Sequence, residues 1–273
     1  MRNAKLLAVA LVFALVAAAC GDDEGESTTT AAADLTQTEG VLTVGSDIPW
    51  EPFEFYGDDG ELTGFDVEVI EEIASRLDLE VEWVETAFDT IFTQLATGQF
   101  DVVASGATIT PERAEQVSFT DPYYRAEQAL TINTALTPDI TSVDDLGDGD
   151  RVAVQTGTTG EAWAQENLEP NGVEVVSYEE AADTYIALEG GQVQGVIFDE
   201  PSAAAETANR PDLAIADVIS TNEEYGFGVD PARTALLTAM NGAFAAMLTD
   251  GTYQAIYDKW FPTAPAGSVL YTP

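Results

Sequence analysis

Two hydrophobic periods alternate along this chain, and their order leaves few folds open. Val41-Leu-Thr-Val-Gly reads as a strand, and over 66–77 the residues Val67, Ile70, Ile73, Ala74 and Leu77 fall on one helical face. Val81-Glu-Trp-Val is a strand again, 90–97 a helix, and Phe100-Asp-Val-Val-Ala a strand. A second series follows: the strand Arg151-Val-Ala-Val-Gln, a helix over about 160–167, a strand over 173–177, a helix over 179–189 and the strand Gly195-Val-Ile-Phe. The chain returns through Tyr225-Gly-Phe-Gly-Val to helices over 231–249 and 252–260. This is α/β order, and two similar halves predict two lobes with a cleft between them, though no repeat in the strict sense is present.

Charge narrows the function classes. All 49 acidic residues follow Cys20, against seven of the nine basic ones, so the chain from Cys20 onward carries a net −42. Without a basic footprint, nucleic acid and anionic lipid are poor partners. Hydrophobic content of 45% places the acidity on a folded protein. The sequence contains no histidine, which removes the commonest general base and metal ligand, and neither a cofactor nor a metal is expected.

Residues 1–20 read as an export signal: Arg2 and Lys5, then an apolar run over 6–19 too short to span a bilayer comfortably. Cys20 is the only cysteine and cannot form an internal disulfide. Its position after Val16-Ala-Ala-Ala resembles the lipobox of bacterial lipoproteins, although Ala17 stands where a leucine is usual, so Cys20 is the expected lipidation site. Residues 21–38 have the acidic, small-residue composition of a disordered tether, with a coil reach of about 21 to 25 Å. The expected location is outside the cytoplasm, lipid-anchored to the outer face of the cytoplasmic membrane or in the periplasm.

Several ordered segments carry a specific resemblance: Pro52-Phe-Glu-Phe, Gly64-Phe-Asp-Val-Glu, Gly106-Ala-Thr-Ile-Thr-Pro-Glu-Arg, Val117-Ser-Phe-Thr-Asp-Pro-Tyr-Tyr, Val152-Ala-Val-Gln-Thr-Gly-Thr-Thr, and Gly251-Thr-Tyr-Gln-Ala-Ile-Tyr-Asp-Lys-Trp-Phe. From about Val41 to Phe261 the chain resembles the amino-acid-binding proteins of ABC importers, the polar amino-acid solute-binding family. That family includes glutamine-, histidine- and lysine/arginine/ornithine-binding proteins. The resemblance implies a two-lobed periplasmic-binding-protein fold, with 40–124 plus 225–273 as lobe 1 and 128–221 as lobe 2. Connecting strands near 123–128 and 221–226 would bend to close the cleft.

The same resemblance implies a site. Arg113, Ser105, the backbone of Gly106 and the backbone and hydroxyl of Thr108 would hold a ligand's α-carboxylate, as a guanidinium and neighbouring donors can. The loop Thr156-Gly-Thr-Thr-Gly leaves a strand and opens a helix, so Thr158 and Thr159 would complete that cradle at the positive helix end. It lacks the Gly-Lys-Ser/Thr ending of a nucleotide loop. Asp199 matches the acceptor of the α-ammonium, although an Asp before Glu-Pro also makes a good helix cap. Trp50 and Phe88 would flank the ligand side chain. Asp47 would meet a polar or cationic group on it, and Gln155 stands where glutamine-binding relatives carry Lys and the lysine/arginine/ornithine type an apolar residue. Asp66 is expected to be structural, at a helix start.

The function implied is the extracytoplasmic binding component of an ABC amino-acid importer, a monomer that takes a free L-amino acid, arginine or lysine ahead of glutamine, and delivers it to a membrane permease. The other class considered is an enzyme of cyclohexadienyl dehydratase type on the same scaffold. It would need a proton donor in the cleft, and only carboxyls such as Asp47 or Asp199 are candidates.

Overall fold

In β1 (Val41–Ser46), Leu42 and Val44 are fully buried, because this strand is covered on both sides. It is the second strand of a five-stranded sheet, pairing parallel with β4 (Glu80–Glu85) at the edge and with β5 (Val102–Val103) on the other side. The sheet continues antiparallel through β12 (Gly228–Val229) to β6 (Ser118–Phe119). A small hairpin, β2 (Phe55–Tyr56) and β3 (Leu62–Thr63), and the helix α1 (Phe65–Arg76) carry the chain from β1 to β4. Helix α2 (Ile91–Ala96) then brings it back to β5 on the opposite flank of β1, and the short α3 (Pro111–Ala114) follows. The computed structural model describes residues 35–262; the export signal, Cys20, most of the 21–38 tether and 263–273 lie outside them.

The second sheet has the order β11-β7-β10-β8-β9, from β7 (Tyr124–Asn133), β8 (Arg151–Gln155), β9 (Glu174–Tyr178), β10 (Gly195–Asp199) and β11 (Leu213–Tyr225). Period-2 alternation splits its residues between two cores. Leu130, Val152, Val154 and Ile197 face one layer with Ala164 of α4 (Thr159–Asn167). Ala153, Val196 and Phe198 face the other, with Tyr185 and Leu188 of α5 (Ala181–Glu189). Helix α6 (Glu200–Ala208) follows β10 directly. Helices α7 (Thr234–Asp250) and α8 (Thr252–Trp260) return to the first lobe, where Met240, Phe244, Tyr253 and Tyr257 pack with Phe53, Phe65, Tyr123 and Tyr225.

The architecture is therefore the expected two-lobed α/β fold. Strands β7 and β11 belong to the second sheet and also run across to the first lobe as a paired antiparallel ribbon ending at Tyr225 opposite Tyr124. The ribbon is bulged between Ile219 and Glu223, where Asn222 takes φ 54° and the amides of Thr221 and Asn222 both donate to the Glu127 carboxylate. A bulge of this kind re-aims the side chains that follow it.

One boundary is corrected. The tether was expected to reach 38, yet Leu35 and Thr36 are buried, the Gln37 amide donates to Asp101 at 2.8 Å, and Thr38 bridges Val41. Leu35 is the apolar anchor, hidden from composition by the small polar residues around it.

Both sheets share a feature that fixes where a site can form. In the first, β1 is flanked by β4 and β5; in the second, β8 is flanked by β9 and β10. Each is a point where strand order reverses, so the loops leaving the two central strands diverge and open a crevice at their carboxyl ends. The loop after β1 carries Asp47 and Trp50, that after β5 Ser105 to Thr108, that after β8 Thr156 to Thr159, and β10 ends on Asp199.

Candidate functional site

The loop after β5 is held from behind by two buried acids. The Ser105 hydroxyl donates to Glu54 at 2.9 Å and accepts from the Asp47 amide at 3.0 Å. The Gly106 amide donates to Asp66 at 3.0 Å, and Asp66 also accepts from the Tyr123 hydroxyl at 2.6 Å. Asp66, in the first turn of α1, is thus structural and holds the loop. The Ser105 hydroxyl and the Gly106 amide, expected to face a ligand carboxylate, are both used internally. What Gly106 supplies is space: a Cβ there would lie 2.5 Å from the Trp50 ring.

Arg113 stands on α3, whose first turn is capped by Thr110 through a 3.2 Å bond to the Arg113 amide. The residue is 8% exposed, and its guanidinium lies 5.1 Å from the centroids of both Phe88 and Phe92. It donates to the Thr108 carbonyl at 2.7 Å and, across the cleft, to the Gly157 carbonyl at 3.2 Å. Burial pulls the guanidinium below its ordinary pKa, and the charges of Asp199 and Glu223 oppose that shift. A guanidinium so placed remains charged.

From the second lobe, the Thr156–Thr159 loop meets Arg113. Gly157 has φ 80°, and a Cβ there would lie 3.0 Å from the Asp89 Cα, so the two lobes touch backbone to backbone. The Thr158 hydroxyl caps α4, accepting from the Glu161 amide at 3.1 Å and donating to the Gln155 carbonyl at 2.7 Å. Thr158 therefore shapes the loop through its hydroxyl. The amides of Thr159 and Gly160 are first-turn donors that no helical carbonyl can reach. Asp199 stands before α6 without capping it, which removes the cap explanation for this residue.

Two residues that the sequence reading missed complete the centre. Gln128 of β7 donates one amide hydrogen to Asp199 and the other to Glu223 at 2.9 Å. Glu223 of β11, 8% exposed, also accepts from the hydroxyls of Thr108 at 2.6 Å and Thr159 at 2.8 Å. Both residues sit on the ribbon, which was assigned only a bending role; a lone Gln in the apolar run over 128–132 was the available signal.

Burial raises the Asp199 pKa to about 8, with the Glu223 charge adding to the shift. At the far end of the cleft, Asp47 accepts from Gln155 at 2.6 Å, and Gln155 also donates to the Glu179 carbonyl at 3.2 Å. Burial raises Asp47 to about 7, with the Gln155 hydrogen bond opposing. Trp50 and Phe88 meet edge to face at 6.3 Å, while Trp50 reaches Phe198 of the second lobe at 5.9 Å. In this arrangement the space among Trp50, Gln128, Thr158, Phe198 and Asp199 is about 10 Å³. Among the described residues, no group of three or more Cys, Asp or Glu side chains is arranged to hold a metal ion.

Two lobes on a strand ribbon, with a charged cleft at both topological switch points, define a two-lobed binding protein. The chain belongs to the bacterial extracellular solute-binding proteins, family 3, whose profile matches residues 42–263. It is 34% identical over 226 residues to the ABC transporter arginine-binding protein 1 of Escherichia coli (strain K12), covering 81% of this chain and 90% of that protein. An ancestral arginine-binding protein, solved bound to arginine, superposes with a TM-score of 0.78 at 36% identity, covering 81% of this chain and 98% of that one. An ancestral arginine-binding protein solved bound to glutamine superposes with a TM-score of 0.77 at 36% identity, covering 81% and 98%. An ancestral amino acid-binding protein described as a precursor of cyclohexadienyl dehydratase superposes at 0.76 with 36% identity, covering 81% and 96%.

Proposed function

We propose that this protein is the extracytoplasmic binding component of an ABC amino-acid importer and that it captures a basic L-amino acid, arginine or lysine ahead of glutamine, by closure of its lobes. The observation that carries the reading is the placement of a guanidinium and a carboxyl across the cleft: Arg113, beside Thr108 and the first turn of α4, on one side and Asp199, whose ionised form an incoming ammonium favours, on the other. A zwitterion entering a drying cleft needs compensation for both of its charges, and this placement supplies it. At the far end of the cleft Asp47 offers a carboxyl that a cationic or donor-rich side chain can pair with. Relatives named for binding arginine agree with that choice. A dehydratase would need a free proton donor; Asp199 has a suitably raised pKa, but Gln128 holds its carboxyl and the relatives compared are named as binding proteins.

Asp47 sets the side-chain preference in this reading. A charge-assisted hydrogen bond there is worth about 1.5 to 3 kcal/mol. At about pH 8, where Asp47 is mostly ionised, Asp47→Asn should weaken arginine or lysine by about ten- to a hundredfold and hardly change glutamine. Competition among arginine, lysine, glutamine and glutamate on both proteins tests it: a wild-type preference for glutamate, or an unchanged ranking in the variant, defeats the proposal.

The export signal, the lipid anchor at Cys20, the permease partner and the monomeric state belong to the same proposal. Expressed with its own leader, wild-type protein should fractionate with membranes, and Cys20→Ser should appear in the soluble fraction or remain unprocessed. Wild-type protein that is wholly soluble, with a mass lacking acyl chains, excludes the anchor.

A further inference from the structure

The donors assigned to a ligand carboxylate are engaged by a carboxylate of the protein itself. Oε2 of Glu223 accepts from Thr108 at 2.6 Å and from Thr159 at 2.8 Å, one hydroxyl from each lobe. A threonine hydroxyl has a single hydrogen, so neither can donate to a second carboxylate at the same time. The other oxygen of Glu223 accepts from Gln128, whose amide also donates to Asp199. An amide nitrogen with two hydrogens shared between two carboxyls stands in the relation to Asp199 that an ammonium group would take. The bulge at Thr221–Asn222, pinned by Glu127, aims Glu223 inward.

We infer that Glu223 and Gln128 are a built-in competitor for the amino-acid site: the Glu223 carboxylate occupies the carboxylate subsite, the Gln128 amide occupies the ammonium acceptor, and a ligand binds by displacing both. The inference rests on the proposed reading of Thr108, Thr159 and Asp199 as ligand contacts. Affinity is then a difference between two sets of hydrogen bonds rather than a sum of one set. Because the displaced groups lie on the ribbon joining the lobes, exchanging them for ligand acts directly on the segment that bends. Truncating Glu223 should free both hydroxyls and tighten amino-acid binding, whereas a residue that held the ligand would weaken it on truncation.

Two measurements on purified Glu223→Ala test this. Calorimetry with L-arginine should give an affinity about tenfold tighter than wild type, the size of one net hydrogen bond to a charged group no longer displaced. Millimolar acetate, against chloride at equal ionic strength, should raise the melting temperature of Glu223→Ala and leave wild type unchanged, since a small carboxylate fills the vacated subsite. Weaker arginine binding, or no response to acetate, overturns the inference. The acetate response is independent of the amino-acid reading: if wild type binds no amino acid yet acetate stabilises the variant, the internal carboxylate stands and the proposed function falls. Should Glu223→Ala fail to fold, the isosteric Glu223→Gln carries the same expectation of tighter arginine binding, and unchanged or weaker binding in it overturns the inference equally.

Discussion

Arg113→Ala abolishes amino-acid binding in the expected outcome, while the protein still melts cooperatively. The guanidinium is the one cation of the cleft among the described residues, is almost fully buried, and donates to carbonyls of both lobes. Removing one partner of a buried charge pair costs about 3 to 5 kcal/mol, or a few hundred- to a few thousandfold in affinity. The fold should survive because its cores do not include this side chain. Arg113→Lys should recover little, since an ammonium cannot reproduce a planar fork seated between Phe88 and Phe92. Calorimetry showing near-normal affinity in the alanine variant removes Arg113 from the site.

The second large effect is on stability against pH. Asp47 and Asp199 hold protons up to about 7 and about 8 because burial disfavours their charged forms. Burial also raises Glu54 and Asp66, and the Asp66 charge raises Glu54 further. In the unfolded chain such carboxyls titrate near about 4. Between these limits the native state binds more protons than the unfolded one, so stability falls as pH rises from about 4 to about 8. Each pKa unit corresponds to about 1.36 kcal/mol, so the fall should amount to several kcal/mol. Surface charge also grows over part of this range, which makes Asp199→Asn the deciding comparison: it should show a shallower fall than wild type. A ligand ammonium favours the ionised Asp199, so saturating arginine should also flatten the profile, and its binding should release protons below about pH 8. Wild-type and Asp199→Asn profiles of equal slope refute the assignment of the Asp199 proton.

Much of the fold is legible in the chain because each central strand is bounded by strong local signals. The expected strand over 151–155 and the helix over 252–260 have the observed limits, and the helix over 66–77 is displaced by one residue. Helix α6 was not read, since Glu200-Pro-Ser-Ala-Ala-Ala-Glu-Thr-Ala has no apolar stripe and only Pro201, Ser202 and Ala203 are buried. The long pairing of β7 with β11 joins residues about ninety apart, a relation that local periodicity cannot carry. In the site, Arg113, Trp50, Phe88, Thr108, Thr159 and Asp199 are brought together with Asp47 and Gln155 beside them. Ser105, Gly106 and Thr158 shape loops through hydrogen bonds that no spacing rule reveals. Glu223 escaped notice because one acid among 49 has no distinction until a bulge turns it inward.

Trp50 gives the molecule an optical gauge of its own. The indole is 8% exposed, rests on Phe53 and Tyr225 of its own lobe, and closes against Phe198 of the other. Of the other three tryptophans, Trp83 and Trp260 pack on the first-lobe core, and Trp163 packs on the second-lobe core while also lining a crevice that faces Thr108 to Pro111. Where the lobes part, as proposed for ligand capture, Trp50 exchanges an aromatic wall for water while Trp83 and Trp260 keep their surroundings. Its emission should therefore shift to longer wavelength on opening and back on closure, so each opening and capture event carries its own colour change without any attached dye.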